Sequence, residues 1–261
     1  MKISTWSIVN NEIDFMADVV SHHLPWVDKM YVLDTGSTDG TLEFLQERAK
    51  TTPQLVVERY HTRYVPEYDV PWEQMKNPFP EVEVRNHAIQ RCKELCQPDW
   101  LIQLDGDEIF LENVKEVILA NPKAVSLNHS TINPSCDLKT HRKEFRFGHN
   151  FLDPHSRVWN GKYAIEYMKN EKLGSKQFHC NPSIKGWKRH LFETPGTVWV
   201  KNNFHLHLHW LYGRKVENFL KKAGITKRSQ MVARVPLNEF SQLLPKIFLE
   251  KRKSWEKDCD G

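Results

Sequence analysis

The sequence predicts an α/β fold, a mostly parallel, Rossmann-like sheet flanked by helices, and three observations carry that reading. The first sixty residues alternate between short apolar runs and stretches of helical period. Trp100, Leu101, Ile102 and Leu104 form an almost continuous apolar run, as a strand covered on both faces requires. That run stops abruptly at Asp105-Gly106-Asp107-Glu108. Three carboxylates then lie beyond the carboxyl end of a strand, where open α/β sheets bind their ligands.

Ile3 to Val9 reads as the first strand. From Asn11 the period changes, and Ile13, Met16, Val20 and Leu24 mark one face of a helix that stops before Pro25. Met30 to Leu33 is a second buried strand, followed by the loop Asp34-Thr35-Gly36-Ser37-Thr38-Asp39-Gly40-Thr41. Leu42, Leu45 and Ala49 share the face of the next helix, with Ser37, Thr38 and Asp39 as candidate caps. Leu55 to Val57 completes a strand-helix-strand-helix-strand opening, which winds right-handed. Residues 60–81 interrupt it with four prolines and five aromatics, either as a flap over the site or as a packed surface insertion. Residues 81–96 return to helix, with Val84, Ala88, Ile89 and Cys92 inward and Arg85 beside that face. Val114, Val117 and Ile118 fit another helix, and Ala124 to Leu127 a strand. From 133 to 193 the apolar residues follow neither period for long. Phe204 to Trp210 alternates strictly, with His205, His207 and His209 on one face. Beyond Tyr212 the chain is basic with helical stripes, Val216, Phe219, Leu220 and Ala223, then Leu237, Phe240, Leu244, Ile247 and Phe248. Residues 211–261 therefore read as a C-terminal helical appendage.

The 261 residues, 39% apolar and 27% charged, describe a globular protein with material for a substantial core. A formal charge of +4 is too small to imply nucleic acid, and it suits anionic substrates or peripheral contact with an anionic membrane surface. The N-terminal stretch turns polar by residue 10, unlike a signal peptide, and no stretch approaches the roughly 18 apolar residues of a membrane span. Five scattered cysteines, Cys92, Cys96, Cys136, Cys180 and Cys259, read as free thiols in a reducing cytoplasm.

Asp105 and Asp107 point to one side of an extended backbone, and Gly106 lets the chain bend between them. Carboxylates crowded in this way repel one another unless a cation intervenes. A hard divalent ion shared with substrate phosphates is the economical explanation, and a solvated acidic turn is the alternative. The alternating histidines add imidazole donors. Two neighbours on one strand face can converge on an ion, three hardly can, and either pair includes His207. The competing reading is the solvent face of an edge strand.

The Asp34–Thr41 loop lacks both the Gly-Lys-Ser/Thr ending of a P-loop and the G-x-G-x-x-G of a dinucleotide fold. Taken with Asn11-Glu12, Arg85-Asn86 and Asp105 to Asp107, it resembles glycosyltransferase family 2 and its GT-A relatives over residues 3–112. No single motif is specific; the four in order are. The resemblance implies a GT-A domain at 1–210, with a nucleotide-sugar half (1–112) and an acceptor half (113–210), before the appendage at 211–261. It implies inverting transfer of a sugar from a UDP-, GDP- or dTDP-sugar to a hydroxyl of a carbohydrate-type acceptor (glycan, lipid-linked or protein-linked), with Mn²⁺ or Mg²⁺. Asn11, Glu12, Asp34, Arg85 and Asp105 would bind the donor. Within that set, Asp34 would meet base N–H groups and Glu12 the base or ribose. Asp105 would serve ribose or metal, and Asp107 the metal. The catalytic base would be a carboxylate among Asp153, Glu166 and Glu193. Glu193 is preferred because Gly186 to Glu193 resembles a His-Glu segment of the family, although two residues separate His190 from Glu193. Trp159, Tyr163, Tyr167, Trp187 and Trp199 are candidates for stacking on sugar rings. Three rivals remain. A nucleotidyltransferase would want a glycine-rich loop, and Ser7 to Glu12 contains no glycine. A metal-dependent hydrolase would want an Asp among the histidines, and a non-catalytic carbohydrate-binding protein needs no metal.

Overall fold

The computed structural model describes residues 1–61, 80–131, 133–134, 140–144, 154–169, 180–187, 191–200, 205–208 and 232–236. They belong to two compact units that interleave along the chain. The first is Met1–Gly106, Lys115–Asn128 and Ser156–Val200, and the second is Asp107–Val114, His129–His155 and Lys201–Gly261.

In chain order the elements begin β1 (Ile3–Val9), α1 (Ile13–His23), β2 (Lys29–Asp34), α2 (Thr41–Thr51), β3 (Leu55–Arg59), α3 (Glu81–Cys96) and β4 (Trp100–Gln103). There follow β5 (Glu108–Phe110), α4 (Val114–Ala120), β6 (Ser126–Ser130), β7 (Asn133–Pro134), β8 (Thr140–Glu144) and β9 (Pro154–Asn160). The last are β10 (Ile165–Lys169), β11 (Cys180–Ile184), a 3-10 turn at Leu191–Glu193, β12 (Thr197–Trp199), β13 (His205–His207) and β14 (Val232–Pro236). Among the described residues, the main sheet has seven strands in the order β12-β6-β9-β4-β1-β2-β3. β1 lies parallel between β4 and β2, β2 is parallel to β3, and β9 is antiparallel to β4.

The helices and strands of the opening fall where the apolar periods put them. Every residue of β4 is buried, and in β1 only Ile8 is partly exposed. Trp6, Tyr31, Leu33, Leu101 and Trp159 of the sheet pack with Val84, Ala88, Ile89, Cys92 and Cys96 of α3 in one cluster. Trp6 is wholly buried at its centre, and truncating such a side chain to alanine costs about 3–5 kcal/mol. Cys92 and Cys96 are free and buried. Among the described residues no helix is long and apolar enough to cross a membrane.

Three expectations need revision or fall outside the description. α2 starts after Gly40, at φ +96°, rather than at a Ser37 or Thr38 cap, and Ser37 and Thr38 bond to Asn11 instead. Within 211–261 only Val232–Pro236 is described, and it is a strand antiparallel to β8, as suits two valines and a proline that would break a helix. Residues 62–79 of the expected flap lie outside the described residues.

The turns after β1 and β2 are tied together. Asn11 donates its backbone N–H to Ser37 Oγ (2.9 Å), Glu12 N–H donates to Thr41 Oγ1 (2.9 Å), and Ile13 N–H donates to Asp39 Oδ2 (3.2 Å). Asn11 Oδ1 accepts in return from Thr38 N–H (2.8 Å). Asp39 Oδ1 also accepts from the N–H (3.0 Å) and hydroxyl (2.6 Å) of Thr41, at the start of α2. Partial burial pushes the Asp39 carboxyl upward, but the bonds from Thr41 and Ile13 outweigh it and hold it below the usual carboxylate range.

Replacing Asp39 by alanine should cost about 1 kcal/mol, the modest value expected for a cap whose carboxylate is exposed, as read by urea unfolding. Because the native carboxyl is depressed, that contribution is complete above the ordinary carboxylate range. It is lost as pH falls through the lower native value. The difference between parent and Asp39→Ala should therefore shrink in acid.

Candidate functional site

In the first unit, polar residues gather at the carboxyl ends of β1, β2 and β4. Asp34 is wholly buried, and its Oδ1 accepts from Gly36 N–H (2.8 Å) and Ser37 N–H (3.1 Å). This carboxylate therefore shapes its own loop, with Gly36 at φ +112° making the turn. Asn11 sits at φ +57°, a left-handed conformation that asparagine tolerates, and so its side chain reaches across to Thr38. The Glu12 side chain lies against Gly106. A Cβ at Gly106 would stand 2.6 Å from Glu12 Cγ and 3.0 Å from its Cβ, so only glycine fits that close approach.

Asp105 sits between two guanidiniums. Its Oδ2 is 2.9 Å from Arg157 Nη1 and its Oδ1 is 3.8 Å from Arg85 Nη1. Arg85 also donates from Nε to Glu81 Oε1 (2.8 Å), and its guanidinium carbon stands 5.2 Å from the centroid of the Tyr167 ring. The Gln103 amide turns its oxygen to the same pair, accepting from Arg85 Nη1 and Arg157 Nη1 at 2.6 Å each. The reverse orientation would set its NH₂ against guanidinium N–H groups. Its nitrogen then faces the Tyr167 hydroxyl in a short contact. Asn86, the neighbour of Arg85, holds β10 through both its amide groups. Oδ1 accepts from Tyr167 N–H (2.6 Å) and Nδ2 donates to Tyr167 O (3.1 Å), which keeps the ring beneath Arg85.

In the second unit β5 directly follows Asp107 and pairs antiparallel with β13, matching His205 with Phe110, Leu206 with Ile109, and His207 with Glu108. Leu208 N–H donates to Asp107 O (2.7 Å). This pairing brings His207 Nε2 to 3.3 Å from Asp107 Oδ2, with His207 half-buried. His205 is wholly buried, so its strand face is not a solvent face. His209 lies outside the described residues.

The Asp107–His207 pair fits a divalent ion. Two donors bound at right angles to one ion, each at about 2.1–2.2 Å, stand about 3 Å apart, close to the observed 3.3 Å. One carboxylate oxygen and one imidazole nitrogen suit Mn²⁺. Among the described residues no three His, Cys, Asp or Glu side chains converge. Such an ion would keep positions for water and substrate oxygens, as Mg²⁺ sites do. The two aspartates thus differ in their surroundings: Asp105 faces guanidiniums, and Asp107 faces an imidazole.

The candidate bases are scattered. Glu193 is exposed at the end of the 3-10 turn, and Glu166 on β10 accepts from Gly186 N–H (3.1 Å). Asp153 lies outside the described residues. Of the aromatics, Trp159 and Tyr167 are core residues, each 6.1 Å from Trp6, whereas Trp187 and Trp199 are 44% and 59% exposed. Arg157, Gln103, His129 and Thr131 are the residues sequence reasoning missed, and Glu108 it read only as the third carboxylate of the acidic turn. No local signal in Pro154–Asn160 marks Arg157, because the strand alternates too weakly to be read from the sequence.

A crystal structure of S. aureus TarS 1-349 matches this chain with a TM-score of 0.50 at 13% identity, covering 84% of this chain and 66% of that one. The chain has a GT-A-like fold. It spans just under two thirds of that TarS chain, 66%. A mannosyltransferase, PcManGT from Pyrobaculum calidifontis in complex with GDP-Man and Mn²⁺, matches at 16% identity and TM-score 0.35, covering 51% of this chain and 35% of that one. GalNAc-T7 with UDP, GalNAc and Mn²⁺ matches at 14% identity and TM-score 0.39, covering 52% and 24%. No protein-family model matches the chain, and no curated protein matches its sequence.

Within this GT-A-like unit the contact of Gly106 with Glu12 can be tested by a double-mutant cycle. Gly106→Ala should cost about 1–3 kcal/mol in urea unfolding, because Glu12 must move at Cβ and Cγ. In a Glu12→Ala background most of that cost should disappear. Equal costs in the two backgrounds would place the strain elsewhere.

Proposed function

We propose that this chain is a glycosyltransferase that moves a sugar from a nucleotide-diphosphate sugar to the hydroxyl of a carbohydrate-type acceptor, with inversion at the anomeric carbon. The observation that carries the reading is the meeting of Asp107 and His207, distant in sequence, at the acidic turn of a GT-A-like fold.

Asn11, Glu12, Arg85 and Asp105 bind the donor nucleotide, a UDP, GDP or dTDP species. Asp34 contributes by holding the loop in shape, and the arginine pair orients the Asp105 carboxylate. Asp107 and His207 hold Mn²⁺ or Mg²⁺. When bound, the ion stabilises the negative charge of the departing nucleotide diphosphate. Inversion calls for a single in-line displacement, with a carboxylate taking the acceptor proton. Glu193 is the preferred base, because its exposed carboxylate can be reached by an acceptor, and Asp153 is second.

The test is a panel of nucleotide sugars assayed for transfer and hydrolysis with Mn²⁺ and with chelator. Chelator should abolish turnover and Mn²⁺ should restore it. Asp107→Ala should cripple turnover while leaving the fold intact, and His207→Ala should weaken Mn²⁺ binding by ~10-fold or more. Full turnover in excess chelator would refute the reading. For the base, Glu193→Gln should lower turnover by about 10²-fold or more at unchanged donor affinity. Surviving turnover would pass the role to Asp153.

A further inference from the structure

The second unit contains a polar cluster that donor binding does not use. Glu108 and His205 are wholly buried, and His129 and Thr131 are 1% and 3% exposed. His205 is the hub. Its Nε2 lies 3.3 Å from Glu108 Oε1. On the other edge of the ring, Nδ1 is 2.8 Å from Thr131 Oγ1 and 3.2 Å from His129 Nε2. Its face stacks on Phe110 at 4.3 Å between centroids, 13° from parallel. Because Glu108 and Thr131 meet opposite nitrogens of one imidazole, no single ion can take them all, and the cluster is not a second metal site.

We infer that Glu108 and His205 are positioning residues for the ion pair, locking β13 onto β5 in the one register that sets His207 opposite Glu108 and so brings its ring beside Asp107. The inference rests on the proposed ion site. β13 is three residues long, and a strand pair that short has little stability from its backbone bonds alone. A slip by one residue turns each side chain to the other face. Such a slip would swing His207 away from Asp107 and pull His205 out of its buried setting. The Glu108 carboxylate would then be buried without its imidazole, which is strongly unfavourable. Directly opposed residues share a face, so Phe110 stacking on His205 reports the same register as His207 facing Glu108. A buried polar pair specifies alignment here, as single buried polar residues do in coiled coils.

The experiment measures two affinities on the full chain. Mn²⁺ binding is followed by the Mn²⁺ resonance signal in the presence of UDP, GDP or dTDP, whichever the parent binds. Binding of the same nucleotide is also measured in chelator, without metal. Glu108→Ala and His205→Ala should weaken Mn²⁺ by ~10-fold or more at unchanged metal-free nucleotide affinity. Glu108→Gln keeps an acceptor for His205 and should stay within about threefold of the parent. Should the alanine variants fail to fold, Thr131→Val decides the matter, with a loss of about threefold or more expected. Parental Mn²⁺ affinity in the folded variants would overturn the inference. So would a parallel fall in metal-free nucleotide affinity, since that marks a general structural role. His207→Ala is the control. If it leaves Mn²⁺ affinity unchanged, the ion site itself fails and the inference with it, whereas a loss in His207→Ala alone sinks only the positioning role.

Discussion

The polar clamp between the turn after β1 and the turn after β2 is the constraint on which the site of the first unit depends. Parallel strands end side by side, and their turns would otherwise carry unpaired backbone N–H groups at the sheet edge. Here those groups are consumed mutually. Asn11, Glu12 and Ile13 donate to Ser37, Thr41 and Asp39, and Thr38 donates back to Asn11. Each polar letter of the Asp34–Thr41 loop thus has a mechanical task, and the two glycines, at φ +112° and +96°, supply the bends. With the turns tied, Glu12 is held where Gly106 allows it to lie, so the end of β1 is coupled to the acidic turn after β4.

A second feature follows from charge. A half-buried carboxylate is costly unless paired, and Asp105 is paired twice, through Arg85 of α3 and Arg157 of β9. Gln103 joins the same guanidiniums through its amide oxygen, and Tyr167 stands beneath Arg85. Asn86 makes this arrangement stiff by fixing the β10 backbone. The Arg-Asn dipeptide therefore combines a charge with the device that places its surroundings.

The second unit solves a different problem, holding two side chains face to face on a very short strand pair. Its answer is a buried network in which the imidazole of His205 hydrogen-bonds at Nδ1, faces the Glu108 carboxylate at Nε2 and stacks on Phe110. Alternate histidines on one strand thus differ in environment: His205 is enclosed, and His207 beside Asp107 is half open to solvent.

Local pattern determined much of the first unit. The resemblance of four ordered motifs, not periodicity, marked Asn11, Glu12, Asp34, Arg85 and Asp105, whereas the helix and strand order from Ile3 to Trp100 and the buried character of β4 follow from periodicity and turn chemistry. Those are short-range effects that a single stretch of chain records. The strands between residues 133 and 193 did not show, because β9, for one, reads Pro-His-Ser-Arg-Val-Trp-Asn and alternates only weakly, whereas the alternation around His205–His207 did mark β13. The strand at Val232–Pro236 hid in a stretch whose neighbours carry helical stripes. Only tertiary structure decided that Arg157 faces Asp105, that His205 is buried on Glu108, and that His207, the histidine the alternation singled out, meets Asp107. The physical reason is the same in each case. Cross-strand register and the pairing of buried charges join residues far apart in the chain, and a linear pattern of residue types carries no record of which distant partner a strand will choose.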